Sequence, residues 1–214
     1  RTNGVYATEA EAKADGKVFL DNTGRAIAFQ AGDMKFQDTN GDGIISDDDR
    51  VVIGNPNPDI FGNFRSHLNW KRFTLDMAFT YSIGNDIYNY ERSILESGKY
   101  FYNQTSAMNS RWTTEGQVTD MPRLSYQDTH GNSRFSDRWI EDGSYLKFSN
   151  VTLSYAIPIN STFLQGITVW GAINNVFTIT KYLGSDPDCT ASGNALYQGI
   201  DRGLLGKSRS FAMG

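Results

Sequence analysis

Oxygen-bearing side chains recur at positions one, three, five, nine and twelve of the segment Asp38-Thr-Asn-Gly-Asp-Gly-Ile-Ile-Ser-Asp-Asp-Asp49, with glycine at position six. A hard cation such as Ca2+ needs several oxygens converging at once, and glycine makes the sharp central turn without a side-chain clash. The spacing names Asp38, Asn40, Asp42, Ser46 and Asp49 as side-chain ligands, with the Ile44 carbonyl at position seven. Such a Ca2+ would be structural, because no acid or base stands beside the loop in sequence to use a bound water. The competing reading is an Asx-rich turn closed by its own side-chain to backbone hydrogen bonds. Asp49 is shorter than the bidentate Glu usual at position twelve, and β-type alternation follows the loop instead of a second helix.

Other chemistry has little support. The two histidines, His67 and His130, fall in different contexts, which argues against a dyad or a zinc site. There is no Gly-x-Ser-x-Gly elbow, no phosphate loop and no dinucleotide fingerprint. Asp137, Glu141 and Asp142 invite a glycosidase-like carboxylate pair, but a turn with Arg138 balancing the charge accounts for them more simply. The single cysteine, Cys189, excludes an internal disulfide and reads as an incidental loop thiol. The chain is expected not to be an enzyme. Its net charge of −4 and scattered basic residues point away from nucleic acid.

The elements that must position these residues are strands. With 214 residues and 39% apolar content the chain can build a normal core. No leader and no unbroken apolar run of spanning length is visible. Barrel strands escape that test, because about ten residues with every second one apolar suffice to cross. Residues 1–33 are polar, with one short helix expected over Thr8 to Ala14. Short strands are expected at Met34 to Phe36 and Val51 to Ile53, either side of the loop, within a calcium-type region spanning 34–58.

Residues 60–82 read as a hairpin with one greasy face. Phe64, Leu68, Leu75, Met77 and Phe79 take one side, and Asn63, Arg65, His67, Asn69, Thr74 and Asp76 the other, with Lys71-Arg72 as the turn. A long excursion over 84–143 follows, with a helix expected near Tyr88 to Gly98. Strand pattern resumes at Tyr145, and a change of parity at Ser149-Asn150 predicts a β-bulge. A modest turn over Pro158 to Gly166 leads to a strand from Ile167 to Phe177, whose faces are ambiguous at Trp170. A second long loop covers 178–206, and a last strand begins at Lys207 and is still running at Gly214, so the chain reads as cut mid-strand. Short and long connections alternate, as in outer-membrane barrels.

Several motifs in this order resemble the SusC/RagA-type TonB-linked outer-membrane transporters of Bacteroidetes. They are Gly32-Asp-Met-Lys-Phe-Gln-Asp-Thr-Asn-Gly-Asp-Gly43, Asp49-Arg-Val-Val-Ile-Gly-Asn-Pro-Asn-Pro58, Gly84-Asn-Asp-Ile-Tyr-Asn89, Ser136-Asp-Arg-Trp-Ile-Glu-Asp-Gly-Ser-Tyr-Leu146, Asn150-Val-Thr-Leu-Ser-Tyr155, and Asn174-Asn-Val-Phe177 with Thr180-Lys-Tyr182. The resemblance implies an all-β fold: the C-terminal strands of a large antiparallel transmembrane barrel of about 22 strands. It further implies nutrient import of oligosaccharides or peptides, a SusD-like surface lipoprotein partner, and TonB contact through an N-terminal part that this chain lacks. The polar hairpin face would line the lumen and the apolar face would meet lipid. Tyr88, Tyr90, Trp112 and Tyr126 in the long loops are candidate ligand or partner contacts, through aromatic stacking. The alternative is a soluble, calcium-stabilised carbohydrate-binding β-module, in which the apolar faces would pack on a second sheet.

Overall fold

The computed structural model describes residues 1–21, 23–159, 163–164, 166–188 and 197–214. Cys189, and parts of the expected turn at 158–166 and loop at 178–206, lie outside the described residues. The chain divides into two compact units, residues 1–54 with 88–140 and residues 55–87 with 141–214. No described helix is long and apolar enough to cross a membrane, which says nothing of crossing by strands.

In the first unit the strands are short: β1 (Thr2–Val5), β2 (Val18–Leu20), β3 (Ala26–Ala28), β4 (Met34–Phe36) and β5 (Ile44–Ile45). β1 pairs with β4, while β2 sits between antiparallel β3 and parallel β5. Helix α1 (Glu9–Asp15) starts where the Thr8 hydroxyl accepts the Glu11 amide and stops at Gly16, whose φ of 66° suits a residue without Cβ. Val5, Tyr6, Phe19, Phe29, Met34, Phe36 and Ile45 close the core, with Trp112 packed against it. Asp33 is fully buried, and its carboxylate accepts from Arg123 Nε at 2.8 Å, Asn132 Nδ2 at 3.0 Å and the Gln30 amide at 2.8 Å. A buried charge persists only when paired and hydrogen-bonded in this way. Asp33 thereby ties residues 30–33 to the excursion at Arg123 and Asn132.

Two expectations need correction here. Val51 to Ile53 is not a strand: the chain turns through a 3-10 segment at Asp47–Asp49 and then runs unpaired, with Val52 84% exposed. The capped turn before it and the missing amides of Pro56 and Pro58 after it leave no room for a ladder. The helix expected near Tyr88 to Gly98 is only Tyr90–Leu95 (α2), begun by an Asn89 cap.

The second unit carries the long alternating strands β6 (Ile60–Trp70) and β7 (Phe73–Ile83), parts of the short β8 (Asp86–Asn89) and β9 (Ile140–Asp142), which run across the division between units, and then β10 (Tyr145–Ile157), β11 (Ile167–Thr180), β12 (Ile200–Asp201) and β13 (Ser210–Met213). The main sheet has the order β13-β11-β10-β7-β6, with every neighbour antiparallel, and β12-β8-β9 form a small sheet. The β6–β7 hairpin turns on Lys71-Arg72 as expected, with Lys71 at φ 55°. Register aligns the apolar rows: Leu68 with Leu75 and Leu153, Phe64 with Phe79 and Phe148, Met77 with Val151 and Ile173. The polar rows align equally: His67 with Asp76 and Thr152, Asn69 with Thr74 and Ser154.

The predicted bulge is present, since the register slips between Phe148 and Asn150 on both sides of β10. It keeps each row continuous despite the change of parity. Trp170 pairs with Ser154 on the polar side, which resolves its ambiguity. On the opposite face Phe64, Leu68, Leu153, Val169 and Phe177 all remain exposed. Among the described residues of this unit, no second sheet covers them.

Candidate functional site

The oxygen-rich loop is closed by its own side chains. Asp38 accepts the amides of Gly41 at 2.7 Å and Gly43 at 2.9 Å, Asn40 accepts that of Asp42, and Asp42 that of Ile44. Asp49 accepts from Thr39 N at 2.7 Å and from Ser46 N at 2.8 Å, while Ser46 Oγ caps Asp48. Burial alone would raise the Asp49 pKa, but these donated amides outweigh it and hold the carboxyl below its ordinary value. The donor set is all oxygen and suits a hard cation, and each carboxylate keeps lone pairs beyond those its amides use. Among the described residues no three His, Cys, Asp or Glu side chains are gathered as a metal site.

On the sheet's polar face, His67 Nδ1 lies 2.6 Å from Asp76 Oδ1, and His67 Nε2 lies 2.9 Å from Asn69 Nδ2, whose carbonyl oxygen accepts from Thr74. The structure thus brings four of the six predicted polar-face residues into one chain of hydrogen bonds; Asn63 and Arg65 share the face further along β6, opposite Thr80 and Ala78. A second polar row crosses the sheet at the bulge, from Asn150 to Asn174 at 2.8 Å and from Asn174 to Ser210 at 3.1 Å.

The loop aromatics divide by environment. Trp112 packs on the first unit's core and donates to the Ala7 carbonyl at 3.1 Å, and Tyr88 meets Phe135 edge-on at 4.8 Å. Tyr90 is partly exposed, and Tyr126 is exposed beside Phe101 at 5.4 Å. The acidic trio has structural work: Asp137 accepts from Thr2, Glu141 from the Leu183 amide and Asp142 from the Ser144 amide. His130 bonds locally to Thr129.

Sequence reading missed a charged cluster on β10. Lys147 is 5% exposed in its side chain, and its Nζ reaches Asp186 at 2.9 Å and Asp188 at 3.3 Å. Lys207 meets Asp188 at 2.8 Å. The available signal was a lysine between Leu146 and Phe148 in an alternating strand, a placement that demands acidic partners. Burial would raise the Asp188 pKa, yet the two lysines pull it below its ordinary value, and the bond to Asp188 raises that of Lys207.

No family model matches the chain. It is 32% identical to TonB-dependent receptor P3 of Formosa agariphila over 187 residues, covering 84% of this chain and 18% of that protein. It is 25% identical to TonB-dependent receptor SusC of Bacteroides thetaiotaomicron, over 84% of this chain and 17% of that one. The RagAB peptide importer in its closed-closed state superposes over the whole chain and 22% of its own, with a TM-score of 0.70 at 22% identity. The chain thus spans about a fifth of the length of the relatives it matches. Its long strands have the fold of part of such a β-barrel.

Proposed function

We propose, given that the chain belongs to the SusC/RagA-type TonB-dependent receptors as a C-terminal part of their barrel, that its protein imports nutrients across the bacterial outer membrane. The single observation that carries the reading is the two-faced main sheet: the row His67, Asp76, Thr152 on one side and the row Leu68, Leu75, Leu153 on the other. Polar rows of this kind line a lumen, and apolar rows at spanning length face lipid. In this reading Asn63, Arg65, His67, Asn69, Thr74 and Asp76 are lumen-facing.

The substrate is an oligosaccharide, with peptides as the competing class, and delivery uses a SusD-like lipoprotein over the external loops. Of the loop aromatics, the exposed Tyr126 is the contact we assign to a ligand or that partner. Energy comes from TonB through other parts of the protein, and no bond is made or broken. The Asp38–Asp49 loop takes a structural Ca2+ that fixes its fold. A soluble carbohydrate-binding module would need a second sheet over Phe64, Leu153 and Phe177, and their exposure favours the barrel.

The test is deletion of the gene followed by uptake of labelled oligosaccharides and peptides, with fractionation of the full-length protein. Loss of uptake of one class, together with a heat-modifiable outer-membrane barrel, supports the reading. Unchanged uptake of both, or a protein that stays soluble without detergent, defeats it.

A further inference from the structure

Beside the buried Lys147, a cavity of about 240 Å³ opens on the main sheet, lined by Lys147, Asn175, Thr178, Asp186, Lys207 and Arg209 among others. Its charges do not balance. Lys147, Lys207 and Arg209 face two carboxylates, Asp186 and Asp188, and both carboxylates are already held by the lysines. Arg209 is not in an ion pair with any described residue; its Nε and Nη2 donate instead to the carbonyls of Asn175 and Val176. A guanidinium has five donors in a rigid fork, so these two bonds fix its plane and leave donors for a planar anion. The carbonyls orient the group without neutralising it.

We infer that this cavity is a carboxylate-binding subsite, with Arg209 as the anchoring cation and Lys207 as a second one shared with Asp188. The volume is below that of a drug-sized site, so it takes one residue of a longer ligand, a uronic acid unit or the free C-terminus of a peptide. The proposal rests on the import reading for its physiological role, but binding itself does not depend on it. Asp188 acts as an internal competitor. An incoming carboxylate takes over part of its contact with Lys207, so removing the Asp188 charge strengthens anion binding.

The experiment uses the full-length protein in detergent, titrated calorimetrically with tri-galacturonate, with the neutral galactose trisaccharide, and with a tripeptide carrying a free or an amidated C-terminus. Tri-galacturonate or the free-acid peptide binds, identifying the source of the carboxylate, and its neutral counterpart binds at least about tenfold more weakly. Arg209→Gln lowers that affinity by a similar factor, and Asp188→Asn raises it, in barrels whose heat-modifiability is unchanged. Equal binding of acidic and neutral probes, no binding of either acid, an unaffected Arg209→Gln variant or weaker binding in Asp188→Asn each overturns the subsite. Uptake of an acidic ligand that Arg209→Gln leaves intact overturns the subsite and spares the transporter. Tight acid binding by a protein that supports no uptake does the reverse.

Discussion

Phe79 and Phe148 stack across neighbouring strands with ring centroids 4.4 Å apart and planes 7° from parallel. They lie on the apolar face just before β10 slips register, and Phe177 meets Phe148 edge-on at 5.5 Å from the next strand. An aromatic row of this kind gives the sheet cross-strand stabilisation on a face that no second sheet covers among the described residues of this unit. Under the proposed barrel reading, lipid is the solvent that would make such a surface favourable.

Leu75→Arg, on that face, is expected to cost roughly 2 to 4 kcal/mol if it sits near the bilayer midplane. Thr152→Arg, on the polar face opposite Asp76, should be near neutral. Denaturant unfolding of the full-length barrel in lipid checks the pair, and equal effects would mean that the two faces meet the same medium.

Removing Arg123 leaves the fully buried Asp33 without its cation. Arg123→Leu is expected to destabilise the first unit by about 3 to 5 kcal/mol, while loss of the exposed Lys13–Glu9 pair should change nothing measurable. Hydrogen exchange across residues 1–54 reads both variants in the full-length protein.

Gly32 has φ of 83°, and a Cβ there would lie 2.5 Å from Trp112 Cε3. Gly32→Ala therefore pushes Trp112 off the first unit's core and strains the backbone, costing about 1 to 3 kcal/mol. Trp112 fluorescence should shift toward that of a solvated indole; an unchanged spectrum and stability would contradict the packing.

The depressed pKa of Asp49 gives the loop a pH dependence of known sign. Its stabilisation is fully present above the unfolded aspartate value of about 3.9 and is lost as pH falls through the lower folded value. Protection of the Thr39 and Ser46 amides should hold at pH 5 and collapse only in the acid range. Protection already falling between pH 7 and 5 would show that another group governs the loop.

Calcium binding by the same loop predicts that millimolar Ca2+ raises its protection over that in a chelator, and that Asp38→Asn or Asp42→Asn removes the difference. Identical protection in both conditions would leave the self-capped turn as the whole explanation.

Strand periodicity made the barrel wall legible. Two-residue alternation placed the β6–β7 hairpin to within one residue, its second strand ending at Ile83 instead of Ser82, and the change of parity placed the bulge before Asn150. In the first unit only α1 and β4 were legible, because β2, β3 and β5 are two or three residues long and carry no period. Its organising contact, Asp33 with Arg123, joins residues ninety positions apart. Val51 to Ile53 misled because β-branched residues suggest a strand even where no neighbour is available to pair. Lys147 was passed over since its partners lie 39 and 41 residues away, in a loop without pattern of its own.

The central claim is that one face of the main sheet meets lipid and the other meets water. Single cysteines placed at Leu153 and at its neighbour Thr152, in full-length protein stripped of other cysteines and reconstituted in vesicles, would carry a fluorescent label. A quencher held in the lipid tails should quench the label at Leu153, and an aqueous quencher the label at Thr152. Aqueous quenching at both positions would contradict the account.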